Sequence, residues 1–299
     1  MRVFITGASG HVGSALVPEL LQNGHAVVGL ARSEASAAAL ERAGAEVRRG
    51  DLDDLDGLRA AAADADGVVH LAFKHDLMFS GGAEEAVAAD LRAIEALGDG
   101  LAGSGKPFVG TSGTLMLAVG GVEGRAGTED DAFAGGGRID AENAVVALAD
   151  RDIRSSVLRL PPTVHSDLDL HGFIPSLIGI ARDTGVAGYV GDGANRWPAG
   201  HTRDAARLYR LALESAPGGS RLHAVGDEGI PFRDIAAAIG EQLGLPAQAR
   251  DPEHFGWLAG LVVLDNPTSA ARTRALLGWE PTHPGLLEDL RAGFYFAAR

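Results

Sequence analysis

The sequence contains no cysteine and only two lysines, Lys74 and Lys106, in 299 residues. Without cysteine there are no disulfides, thiolate metal sites or cysteine nucleophiles, and a reducing, cytoplasmic location is expected. Positive charge is also scarce, with 26 basic against 40 acidic side chains and a formal net charge of −14. A nucleic acid or an anionic membrane needs a basic face, and these arginines are scattered singly among acids, so neither is an expected partner. Long apolar runs are missing as well. The most lipid-like stretch, Phe255 to Leu264, has about half of the ~20 residues a spanning helix needs. The run Val3 to Ile5 meets Gly7 too soon for a signal-peptide core. What is present is a 46% hydrophobic content, enough for one large or two medium cores. The 42 glycines have no period and mark many tight connections.

Short β-like runs alternate with longer helical stretches through the first half, the pattern of a parallel sheet wrapped by helices. Strands are expected at 3–6, 26–30, 46–48, 67–71, 107–110 and 155–160. The helices between them are anchored by Val12, Leu16 and Leu20 on one face, by Ser33 as a cap, by Asp54 with Leu55 and Leu58, and by the stretches 84–97 and 139–149. After Pro161-Pro162 helices remain readable at 173–182, 203–214, 232–243, 269–277 and 286–296, while strands become short. The expected division is a first unit over 1–160 and a smaller, mostly helical lobe over 161–299, with part of 185–225 returning to the first sheet.

The most informative segment is Thr6-Gly7-Ala8-Ser9-Gly10-His11-Val12-Gly13, set between an expected strand and an expected helix. Gly7 permits a sharp turn, Gly10 lets backbone amides approach a pyrophosphate, and Gly13 lets helix and strand pack closely. Ser9, His11 and Val12 complete a loop whose helix N-terminus faces phosphates, so residues 1–160 read as a dinucleotide-binding unit.

This spacing resembles the short-chain dehydrogenase/reductase superfamily, in its extended, NAD(P)-dependent epimerase/dehydratase-like branch. The similarity continues along the chain. Asp51-Leu52 looks like the pair that holds adenine, and His70-Leu71-Ala72, leading to Phe73, like the cofactor-ribose segment. Thr111-Ser112-Gly113 falls where the family keeps a catalytic Ser or Thr. Leu158-Arg159 with Pro162-Thr163-Val164-His165 is similar to the segment contacting nicotinamide, and Gly278-Trp279-Glu280-Pro281 followed by Leu287 and Leu290 to the C-terminal signature. The resemblance implies an α/β, doubly wound parallel-sheet Rossmann fold, with residues 161–299 as the substrate lobe. It also implies a homodimer, for which the helix 139–149 offers an apolar face.

Cofactor preference is read after the second strand, where an NAD-selective site needs a carboxylate. Here Ala31-Arg32-Ser33 stands instead. A guanidinium with a neighbouring hydroxyl suits a 2′-phosphate, so NADP(H) is the expected cofactor.

The family's acid/base is a Tyr with a Lys four residues later, and this chain has no such pair. Its tyrosines are Tyr189, Tyr209 and Tyr295, none four residues before Lys74 or Lys106. By the family's spacing Arg138 takes the lysine register and Ala134 the tyrosine register. Candidate catalytic residues are Ser112, by register; Arg138, as a donor to the nicotinamide ribose; and His75, beyond a strand end with a pKa suited to proton transfer. Thr114 and His165 are further candidates near the substrate. Phe73, Met116, Phe173, Tyr189 and Trp197 are expected to line an apolar pocket between the strand ends and the later lobe.

The segment His165-Ser166-Asp167-Leu168-Asp169-Leu170-His171 has metal-ligand types, but a flexible polar loop is the better reading and no metal is expected. No Gly-x-Ser-x-Gly elbow is present. The expected function is that of an NADPH-dependent reductase of a small, mainly hydrophobic carbonyl, enone or imine. An NADP-using isomerase or epimerase and a non-catalytic redox sensor are the alternatives.

Overall fold

The computed structural model describes residues 1–297. β1 (Arg2–Thr6), α1 (His11–Gln22), β2 (Ala26–Ala31), α2 (Glu34–Arg42), β3 (Glu46–Arg49) and α3 (Leu55–Ala63) alternate strictly. β4 (Gly67–His70) is followed by the short α4 (His75–Phe79) and the long α5 (Ala83–Leu101). β5 (Pro107–Gly113) leads to α6 (Leu115–Val119), α7 (Arg138–Ala147) with a 3₁₀ turn at Leu148–Arg151, and β6 (Arg154–Leu160). The strand alternation sends side chains to opposite sheet faces. Val3, Ile5, Val27, Val69, Val109 and Leu158 lie in one core with the apolar side of α1. Phe4, Val28, Val68, Phe108 and Val157 lie in the other with α3, α5 and α7.

The second half is more irregular. β7 (Thr163–His165), α8 (Phe173–Thr184), β8 (Ala187–Tyr189) and β9 (Arg196–His201) precede α9 (Thr202–Ser215) and β10 (Ser220–His223). There follow β11 (Asp227–Pro231), α10 (Phe232–Leu243), β12 (Ala247–Ala249), a 3₁₀ segment at Pro252–Leu258, α11 (Ala271–Leu277) and α12 (Leu286–Arg291).

The main sheet runs β10-β6-β5-β4-β1-β2-β3, and all its pairings are parallel. This is the doubly wound Rossmann arrangement, and the order reverses between β1 and β4, where a crevice opens at the strand carboxyl ends. β10 joins the sheet from the second half and α9 lies against α1, so residues 202–223 return to the first layer. The remaining chain forms β11-β9-β7, the pair β12-β8 and a third core around Trp197, Phe232 and Phe255.

Two expectations need correction. The stretch 165–171 is not a flexible polar loop: His165, Ser166 and Asp169 are buried, with His165 Nδ1 on Asp289, the Ser166 hydroxyl on Thr202 and Asp169 on Tyr295. The helix expected over 286–296 ends at Arg291, since Gly293 takes a positive φ. α7 packs Ala141 and Val145 into the chain's own core, with Ala144 and Val146 partly buried beside them. Among the described residues no helix is long and apolar enough to cross a membrane.

Candidate active site

The loop between β1 and α1 is built for close approach. Gly7 has φ +72°, which L side chains rarely adopt, and a Cβ there would lie 2.8 Å from the Ala72 nitrogen. A Cβ on Gly13 would sit 2.3 Å from the Gly7 oxygen, so only glycine lets α1 start against the loop. Gly10, the N-cap, provides no side-chain cap, and the first turn holds no acidic residue. The amides of His11, Val12 and Gly13 therefore remain available to an anion at the positive end of the helix. Ser9 is exposed beside them. These residues fit a dinucleotide pyrophosphate. His11 also turns toward the second half, with Nε2 on Thr202 Oγ1 at 2.8 Å and Nδ1 3.9 Å from Asp169. Burial holds its pKa down at about 4, while burial raises Asp169 to about 6.

Across the crevice a buried relay fixes the end of β4. His70 Nε2 donates to Asp90 at 2.9 Å, because a carboxylate only accepts. Nδ1 then accepts the Thr6 hydroxyl at 2.7 Å, and Thr6 Oγ1 accepts the Ala72 amide at 3.2 Å. Leu71, Ala72 and Phe73 are thereby held, partly exposed, beside the glycine loop. Asp90 was not anticipated from the sequence, although an acid inside the apolar stripe of the 84–97 helix was a readable signal.

The same relay meets the residues expected to do chemistry. The Arg138 guanidinium lies 3.9 Å over the Phe73 ring, and Nη2 donates to the Thr111 carbonyl at 3.4 Å. Burial lowers its pKa, which Asp90 partly counters. The His75 ring meets Phe73 edge-on at 5.0 Å, and burial together with Arg138 lowers its pKa. The structure thus brings together Phe73, His75, Arg138 and Thr111 at the ends of β4 and β5. Tyr209 is also near, but fully buried. Thr111 Oγ1 donates to the His70 carbonyl and so accepts from the Tyr209 hydroxyl at 2.8 Å. Burial pushes that phenol upward, so it keeps its proton.

At the end of β2, Arg32 is exposed and has no hydrogen-bonding or ionic partner among the described residues. The Ser33 hydroxyl, expected beside it as a phosphate ligand, is engaged as the cap of α2, accepting from Ser36 N at 3.1 Å. Asp51 Oδ1 accepts from the amides of Asp53 and Asp54, an Asx turn that presents the segment, and Leu52 is buried.

Other candidates lie elsewhere. Ser112 is buried, with its hydroxyl turned to the α7 side, near Glu142 and away from the Thr111 side chain. Burial would raise Glu142, but Arg159 holds it low through bonds of 2.9 and 2.6 Å. Thr114 Oγ1 is buried and accepts from Asn266 at 3.0 Å, while Met116 is partly exposed on α6. Thr163 is buried on the Pro198 carbonyl, with Pro162 and Val164 partly exposed beside it. His165 and Trp197 do not line a cleft: both are fully buried, His165 by its 2.7 Å bond to Asp289 and Trp197 in the third core. Phe173 and Tyr189 are half-buried.

Metal-ligand types converge not in 165–171 but at His201, Asp204 and His283, whose ligand atoms lie within 4.8 Å of one another. Two of these groups are already engaged. Asp204 accepts from Thr282 and His283, and His201 Nδ1 accepts from Arg203 N, which does not suit a metal.

The NAD(P)H-binding family profile matches residues 7–98. An uncharacterized protein of Schizosaccharomyces pombe is 45% identical over 99% of this chain and 100% of its own length. An uncharacterized protein of Saccharomyces cerevisiae is 43% identical over 98% and 99%. Among solved structures, a dTDP-glucose 4,6-dehydratase double mutant of Streptomyces venezuelae with NAD and DAU bound superposes with a TM-score of 0.77. It is 20% identical, covering 98% of this chain and 96% of that one, a likeness of fold. The chain therefore belongs to one family with these two relatives over its whole length, residues 7–98 match the NAD(P)H-binding family, and the likeness to the dehydratase is one of Rossmann fold.

Proposed function

We propose that the protein is an NADPH-dependent reductase that acts on a small, mainly apolar carbonyl, enone or imine. The observation that carries the reading is Arg138 seated over Phe73 beside His75, in a chain that has no Tyr-x-x-x-Lys pair. Bound NADPH would supply a hydride. Arg138 would hold the nicotinamide ribose as a permanent cation, since a guanidinium orients without shuttling protons. His75, its pKa below the ordinary histidine value, stays neutral near pH 7 and offers a hydrogen bond rather than a strong acid. A site without a phenol acid suits acceptors whose anion forms readily, such as an enone, with water delivering the proton. It is poorly suited to an epimerase, which must first take a proton from a substrate hydroxyl. Arg32, exposed after β2 and without an ionic partner among the described residues, supports NADPH over NADH because its guanidinium is open to a 2′-phosphate.

The missing pair equally favours one second reading, a non-catalytic dinucleotide sensor. A panel of apolar ketones, enones and imines with NADPH separates the two. Saturable NADPH consumption is expected with at least one acceptor class. Tight NADPH binding with silence across the panel would favour the sensor.

A further inference from the structure

The second half exposes apolar surface in a restricted place. Among the described residues six large hydrophobic side chains are exposed, and four of them are Val119, Leu170, Trp257 and Val263. Val119 ends α6, directly after β5. Leu170 precedes α8, and Trp257 and Val263 belong to the stretch 252–266. Both of these last segments are tied to the carboxyl edge of the main sheet. Asp169 lies 3.9 Å from His11 at the start of α1, and Asn266 donates to Thr114 at the end of β5. Through these two contacts the segments that carry Leu170, Trp257 and Val263 are anchored to the carboxyl edge of the main sheet, the edge on which Arg138 and Phe73 stand.

Phe173 and Trp257 form the rigid part of this border. Their rings meet edge-on at 5.7 Å, and Phe173 is backed by Trp197 at 5.8 Å, which in turn meets Phe232 at 5.0 Å. Trp197 and Phe232 are buried, so the outer pair rests on a fixed aromatic stack and loses little freedom when a ligand covers it. The nearby cation is already used: Arg196 holds Asp265 through bonds of 3.1 and 2.8 Å. Arg196 therefore offers no open guanidinium to a phosphate-bearing substrate, whereas the exposed Trp257 offers a flat, uncharged one an aromatic surface.

Resting on the reductase reading, we propose that Trp257 and Phe173 are the specificity-determining wall of the substrate site, and that the substrate carries a planar, uncharged aromatic or fused-ring group that packs against them. Trp257 is the reporter as well as the determinant. It is 52% exposed while Trp197 and Trp279 are 0% and 1% exposed.

The test is calorimetric titration of the NADP⁺-loaded protein with 2-acetylnaphthalene and, in parallel, with cyclohexyl methyl ketone. The planar ketone is expected to bind about tenfold more tightly. Trp257→Ala is expected to remove that preference, and Trp257→Phe to keep most of it. Unchanged NADPH affinity and an unchanged circular dichroism spectrum would show that the variants fold. Failure of the wild type to bind 2-acetylnaphthalene, or binding that ignores Trp257, overturns the proposal. Binding that depends on Trp257 without any NADPH consumption would leave the wall standing and remove the reductase reading. Consumption that does not depend on Trp257 would do the reverse.

Discussion

At the level of single residues, the site is defined by two arginines with opposite surroundings. Arg32 is exposed and has no partner among the described residues, so its charge is open to a ligand; Arg138 is enclosed, stacked on Phe73 and balanced by Asp90. Arg32→Ala is expected to weaken NADPH about ten- to a hundredfold, the range for a charge-assisted contact, and to leave NADH nearly unchanged. Fluorescence titration of the two cofactors checks this, and equal losses would remove Arg32 from the phosphate site. Arg138→Ala is expected to lower kcat/KM about a hundredfold, with Arg138→Lys intermediate because the charge remains and the planar stack is lost. Both arginines were legible in the sequence, one by its place after a strand and the other by family spacing. The orientation of Ser112 was not, because strand parity decides which sheet face a hydroxyl meets, and that parity is fixed only by the pairing of Ser112 with Arg159.

At the level of elements, most of the first half was readable because parallel strands buried on both faces and amphipathic helices have distinct periods. The strand expected over 107–110 continues to Gly113, since pairing with β6 extends past the apolar run. The stretch 165–171 misled because composition shows polarity but not the partners, here Asp289 and Tyr295, that come from more than 120 residues away. Two substitutions test the elements proposed to hold the cofactor. Ser33→Ala removes the α2 cap and is expected to cost about 1 kcal/mol, a Tm loss of about 2 °C, with NADPH affinity nearly intact. Gly13→Ala drives a methyl into the Gly7 oxygen and is expected to weaken NADPH more than about tenfold while the far lobe keeps its structure. Differential scanning fluorimetry with and without NADPH separates the two outcomes, and a Ser33 variant that loses NADPH without losing stability would contradict the capping assignment.

For the whole molecule, buried histidines set the acid limit. His11, His201 and His223 are each held down at about 4, burial being the main cause, against an ordinary value of 6.5. Below pH 6.5 the unfolded chain takes up protons that the folded chain refuses, so stability falls as the pH drops toward 4, by at most about 3 kcal/mol for each histidine. Asp169 works the other way. Raised to about 6 from 3.8, it favours the folded state fully below 3.8 and loses that contribution as the pH rises through 6. One carboxyl works against three histidines, so the net effect of acid is destabilising. Thermal melts between pH 7 and 4 are expected to show a steep Tm loss that begins near pH 6, above the usual carboxylate range. A Tm that stays flat to pH 4.5 would contradict it. This sensitivity joins the two halves, because His11 belongs to the phosphate helix and His201 to the start of α9.

The most direct measurement of the proposed chemistry follows the hydrogen itself. NADPH carrying deuterium at C4 of the nicotinamide is mixed with the protein and an aromatic enone or ketone, and the product is examined by mass spectrometry and NMR. The account predicts one deuterium on the acceptor carbon, with the balancing proton drawn from solvent. Product without the label, or no product while labelled NADPH stays tightly bound, would contradict it.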